Sequence, residues 1–141
     1  MRLRTAIVTV LIGLATATQL DGQQLPATVR NGSDSVRVLD ARLHPSLHGG
    51  ALKPRDPASA FLVVSFVSSD AALDADRSSL ATVGAACGVV VVDSNTIESD
   101  GGGLMDGKSV CNYIVPKGAL AAELRLARYP ALKLVLTRSA P

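Results

Sequence analysis

Four consecutive valines, Val89 to Val92, stand between Gly88 and Asp93 and constrain this chain more than any other feature. Each valine carries two heavy atoms on Cβ and would lose χ1 freedom against the preceding turn of a helix, whereas a pleated strand accommodates it. Segment 88–93 therefore reads as a strand. The segment A-F-L-V-V-S-F-V-S, 60–68, is apolar on both parities through Val64 and rich in β-branched and aromatic residues, which predicts a central strand. S-V-C-N-Y-I-V, 109–115, predicts another, stopped by Pro116.

Elsewhere the pattern is alternation. In S-V-R-V-L-D-A-R-L, 35–43, Val36 and Val38 share one parity, and Leu39, Ala41 and Leu43 share the other. A parity slip inside one strand is what a β-bulge produces, so a bulged strand with its extra residue near 38 and 39 is expected. Leu132, Leu134 and Leu136 alternate along 131–137. Residues 119–128 are good helix formers, yet Ala122, Leu124 and Leu126 also alternate with Glu123 and Arg125. Strand is the preferred reading there and helix the alternative; with Tyr129-Pro130 as a turn-length break, a hairpin with 131–137 follows.

Between these segments lie the prolines and glycines of 44–59, expected as loop, and the glycine-rich 94–107, expected as a long connection. Residues 70–80 carry early acidic side chains and predict a short helix, with Asp70, Asp74 and Asp76 capping or solvating it. Short strands without regularly alternating helices predict an all-β, antiparallel sandwich. With two Phe, two Tyr and no Trp, its core must be aliphatic.

The N-terminus reads M-R-L-R and then lacks charge until Asp21. Two arginines, an apolar run over 5–20 and small residues at Ala15 and Ala17 fit a secretory signal peptide over 1–17, cut after Ala17. A retained membrane anchor is the alternative, but a span needs ~20 predominantly apolar residues. No cysteine lies near the cut, which disfavours a lipoprotein. Residues 18–34 are polar and are expected as a flexible linker, with 35–141 as the single folded domain. The chain has 14 Lys+Arg against 12 Asp+Glu, and Arg2 and Arg4 leave with the signal. The charge-balanced remainder carries no electrostatic footprint for nucleic acid or an anionic membrane. The expected location is outside the cytoplasm, periplasmic or secreted.

In such a compartment Cys87 and Cys111 are expected to form one disulfide. A hairpin symmetric about Ser99 would set Cys87 opposite Cys111 and Val92 opposite Asp106. Closing a loop of about 25 residues is worth roughly 3.5 kcal/mol in the chain-entropy account. A redox role would require a C-x-x-C spacing or an activating base, and neither is present.

Catalytic signatures are missing. There is no G-x-S-x-G or H-E-x-x-H, and Gly101-Gly102-Gly103 lacks the G-K-[ST] finish of a phosphate loop. His44 and His48 in H-P-S-L-H lie among loop residues with no further ligand nearby to complete a metal site. The oxygen-rich 93–107 fails the calcium-loop spacing. No catalytic residue, metal or cofactor is expected.

The segments F-L-V-V-S-F-V-S-S and V-P-K-G-A-L-A-A-E-L-R-L, with the V-x-D strand between them, resemble the immunoglobulin-like domain of bacterial exported "immunoprotective extracellular" proteins. The resemblance spans about 36–137. It implies an immunoglobulin-like sandwich and an export route, with no catalytic residues to carry over. The expected role is a non-catalytic binding or accessory module for an unidentified protein or cell-envelope partner, working through loops 44–59 and 94–107. A small-ligand or metal-ion carrier is the alternative, and a hydrolase a more remote one.

Overall fold

A computed structural model describes residues 22, 24–70, 73 and 87–139. The predicted signal peptide lies outside these residues. So does the predicted short helix over 70–80, apart from Asp70 and Leu73, and with it Asp74 and Asp76.

Among the described residues ten strands follow one another: β1 (Ala27–Asn31), β2 (Asp34–His44), β3 (Ser59–Ser68), β4 (Val89–Val92), β5 (Asn95–Glu98), β6 (Gly101–Met105), β7 (Lys108–Pro116), β8 (Ala121–Arg125), β9 (Leu132–Val135) and β10 (Thr137–Arg138). They form two sheets. The larger runs β1-β2-β3-β7-β6, with β10 also pairing β2; the smaller runs β5-β4-β8-β9. All neighbours are antiparallel except β10, which runs parallel to β2 through Thr137 and Arg138. Because β3 holds one edge of β2 along its length, β1 and β10 share the other, β1 along 34–38 and β10 along 42–43. The predicted all-β antiparallel sandwich is the fold observed.

The valine run forms β4, with Val90 and Val92 buried and Val89 and Val91 half-buried. It packs the smaller sheet's Ala122, Leu124, Leu132 and Leu134 against the larger sheet. The larger sheet answers with Val36, Val38, Leu62, Val64, Phe66 and Tyr113. In β2 the register shifts between Val38 and Asp40, leaving Leu39 without a partner on β3. Val36 and Val38 point inward before the shift, Ala41 and Leu43 after it. This is the bulge that the parity slip predicted. Phe61 is buried yet stands outside the main core; it pairs with His44 and Ile114, on the face of β3 turned away from the smaller sheet.

Residues 119–128 contribute a strand, β8, paired with β4 and β9. At Leu136 the chain leaves the smaller sheet for the larger, and Ser139 N–H donates to the Leu43 carbonyl.

Two expectations are corrected. The segment 18–34 is not all linker, because Ala27–Asn31 pairs residue for residue with β2. Gly32-Ser33 closes that hairpin, with Gly32 at φ 62. Gly-Ser between two short alternating runs was a hairpin signal of only a few residues. Nor is 94–107 one connection: it contains β5 and β6, which belong to different sheets.

Candidate functional site

The two cysteines are bonded, Cys87 to Cys111, with Cα atoms 5.8 Å apart. Their setting differs from the hairpin symmetric about Ser99. Val92 pairs with Asn95, and Asp106 lies in the turn after β6. Each of the two turns here has two residues, Asp93-Ser94 at φ 49 and 67 and Asp106-Gly107 at φ 53 and 78. Positive φ at both central positions marks the tight turn whose twist matches antiparallel strands. Two tight hairpins therefore replace one long one, and the chain changes sheets at Ser99-Asp100. Ser99 Oγ donates to the Gly101 carbonyl at 2.9 Å, and Asp100 N–H donates to the Asn112 carbonyl at 2.7 Å. Cys87 thus precedes a strand of the smaller sheet and Cys111 lies in the larger: the bridge staples the two layers.

Beside the bridge, Tyr113 is fully buried and its hydroxyl donates to the Cys87 carbonyl. Burial pushes its phenol well above the usual tyrosine value. Gly102 of β6, paired with Cys111, also lies against the bridge. A Cβ there would lie 3.2 Å from Cys87 Sγ and 2.5 Å from the Val110 carbonyl oxygen. Glycine is required by this close approach.

This strand has an open side. β6 pairs with β7 on one edge, and among the described residues nothing pairs with the other. Its sequence, Gly101-Gly102-Gly103-Leu104-Met105, contains no charge, proline or bulge, the usual devices that blunt an edge. Leu104 and Met105 are exposed, at 43% and 63%. The face of the larger sheet beside it, turned away from the core, shows Val67 and Ile114 as well. The other edges differ. Gly22 lies against the backbone of Leu134 and Val135 beside β9. β5 ends on Glu98 and β1 carries Arg30.

The remaining candidates are placed as follows. His44 ends β2 and lines a cleft with residues of the 44–59 loop, while His48 sits exposed in a short turn at φ 54. Among the described residues no group of three or more His, Cys, Asp or Glu could hold a metal ion. Asp70 is buried, and its Oδ2 accepts from Tyr129 Oη and Arg128 Nη2, both at 2.9 Å. Burial and then the Asp70 hydrogen bond and charge raise the Tyr129 phenol above its ordinary value. This cluster ties the end of β3 to the β8–β9 turn. Among the described residues no helix is long and apolar enough to cross a membrane.

Sequence reasoning located the segment of β6 but not the strand. Three glycines have no side-chain period to read; Asp106-Gly107 was the available hairpin signal.

Comparison with known proteins finds no matching family model, no similar curated protein and no similar solved structure.

Proposed function

We propose that this protein is an exported, non-catalytic binding module of immunoglobulin-like build, and that it takes an extended segment of a partner protein onto the free edge of β6. The observation that carries the reading is the uncharged edge of Gly101–Met105, with which nothing pairs among the described residues. Its backbone N–H and C=O groups match those of another extended chain, so strand addition supplies main-chain hydrogen bonds and neighbouring side-chain positions supply selectivity. A Cβ at Gly101 or Gly103 would meet no described atom within 4 Å, so the sheet face over these two residues has room for a partner's side chains. The disulfide beneath it makes the edge a stiff template, which lowers the ordering cost of binding. Export is supported by the charged and apolar pattern of residues 1–17 and by a disulfide, which persists in oxidising compartments.

The test is a photoreactive side chain placed at Gly103 in the exported protein of intact cells, with Arg37 on β2 as the exposed control. The reading expects a discrete protein adduct from position 103, none from position 37, and its loss when Leu104→Lys charges the edge. Equal adducts from both positions, or none from either, would overturn it.

A further inference from the structure

At one end of the sandwich three connections converge. The 44–59 loop, the turn after β7 at Lys117-Gly118 and the end of β10 with its tail at Arg138-Ser139 wall a cleft of about 900 Å³. That lies in the range of small-ligand sites, roughly 300–1,000 Å³. None of its lining residues belongs to β6.

The lining is strongly one-signed. Lys53, Arg55, Lys117 and Arg138 face a single carboxylate, Asp56, with His44 among them. The whole chain has 14 Lys+Arg and 12 Asp+Glu, so the imbalance is local to the cleft. Asp56 offsets one of the four charges, and its Oδ1 also accepts the Ala58 N–H at 2.9 Å, which shapes the turn into β3. Among the described residues none of the four cations forms an ion pair. Four cations against one carboxylate leave the concavity net positive, and that field raises the local concentration of an anion.

The walls are also held in place. Pro45, Pro54 and Pro57 fix φ along the loop, and Leu47 and Leu52 exchange both backbone hydrogen bonds, at 2.8 and 3.1 Å, to pin its tip. Arg138 Nη1 donates to the Lys117 carbonyl at 2.7 Å, joining the tail to the turn. A guanidinium has five N–H donors, so this bond leaves the others for a ligand. The buried Leu43 and Ala60 give part of the lining an apolar character.

We infer that this cleft binds a compact ligand carrying two or more oxyanionic groups, phosphate or carboxylate, gripped by Lys53, Arg55, Lys117 and Arg138. Four cations drawn from three separate parts of the chain match a ligand with more than one such group.

Calorimetric titration of the exported protein at low salt, with tripolyphosphate in one arm and citrate in the other, tests this. Saturable binding is expected in at least one arm, and the stronger arm identifies the anionic group. Affinity should fall as salt is added. The double substitution Arg55→Glu and Lys117→Glu should weaken it about tenfold or more with the thermal midpoint preserved. Should that charge reversal impair folding, Lys53→Gln with Arg55→Gln, both on the exposed loop, carries the same test. No saturable binding in either arm, or binding unchanged in the folded variant, overturns the inference. Leu104→Lys should leave both titrations intact, so the fate of this site and that of the β6 edge are read separately.

Discussion

The hydroxyl of Tyr113 donates to the carbonyl of Cys87, whose sulfur is bonded to Cys111 two residues before that tyrosine. One inward-facing stretch of β7 therefore reaches the same residue of the opposite layer twice, once covalently and once by a hydrogen bond.

The first consequence is spectroscopic. The chain has two tyrosines and no tryptophan, and both phenols are held above the ordinary value, Tyr113 by burial and Tyr129 by burial and then by Asp70. Both keep their protons more tightly folded than unfolded. Their contribution to stability is complete below an unfolded pKa of about 10 and is lost as pH rises through the folded values. For Tyr113 the slope in that window is about 1.4 kcal/mol per pH unit. The Tyr113 share of the tyrosinate absorbance should be missing from the native protein through the ordinary phenol range and appear only with unfolding. Tyr113→Phe should cost about 1 kcal/mol at neutral pH and make the alkaline loss of stability shallower. A phenol that titrates normally in the folded protein would contradict this.

The bridge itself is the second point. Its sequence separation is 24, and the chain-entropy account makes the closed loop worth roughly 3.5 kcal/mol. That is a large share of the ~5–15 kcal/mol of a domain this size. Urea unfolding of the protein with Cys87→Ser and Cys111→Ser should show a loss of that order, and the unreduced, unfolded wild type should present no reactive thiol. A variant as stable as the wild type would mean that the sheets are held without the staple.

How much of this was readable beforehand depends on which residues carried side-chain information. The bulge in β2 was legible because Val36, Val38, Ala41 and Leu43 record the slip directly, and Val89–Val92 admits little besides a strand. β6 was not legible, because Gly101 to Gly103 have no pattern to alternate. A single loop in place of β5 and β6 puts the correct cysteine pair in the wrong geometry. The cleft was hidden for another reason. Lys53, Arg55, Lys117 and Arg138 are dispersed in sequence within a chain of nearly balanced charge, and only the fold gathers them.

Adjacent glycines of β6 give a third, internally controlled prediction. A Cβ at Gly102 would meet the Val110 carbonyl and Cys87 Sγ, whereas one at Gly103 would meet nothing within 4 Å. Gly102→Ala should therefore destabilise the protein by about 1–3 kcal/mol through overpacking against backbone that cannot withdraw. Gly103→Ala should be neutral or gain a few tenths to about 1 kcal/mol by restricting the unfolded chain. Thermal midpoints of the two variants check this, and equal values would remove the proposed packing of β6 over the bridge.

The cluster at the end of β3 supplies the last prediction. Asp70 is buried and accepts from both Tyr129 and Arg128, while the Arg128 side chain is 56% exposed. Asp70→Ala removes the acceptor that Tyr129 Oη uses and should cost about 2–3 kcal/mol. Arg128→Ala gives up a pair screened by solvent on the arginine side and should cost about 1 kcal/mol or less. Arg128 also sits at φ 71, a conformation that costs a residue with a Cβ roughly 1–2 kcal/mol. Arg128→Gly loses the same ion pair but relaxes that backbone, so it should be more stable than Arg128→Ala by about 1 kcal/mol. Denaturant midpoints in the order Arg128→Gly above Arg128→Ala above Asp70→Ala are expected; an alanine variant at 128 as damaged as that at 70 would place the clamp's strength in the ion pair rather than in the buried acceptor.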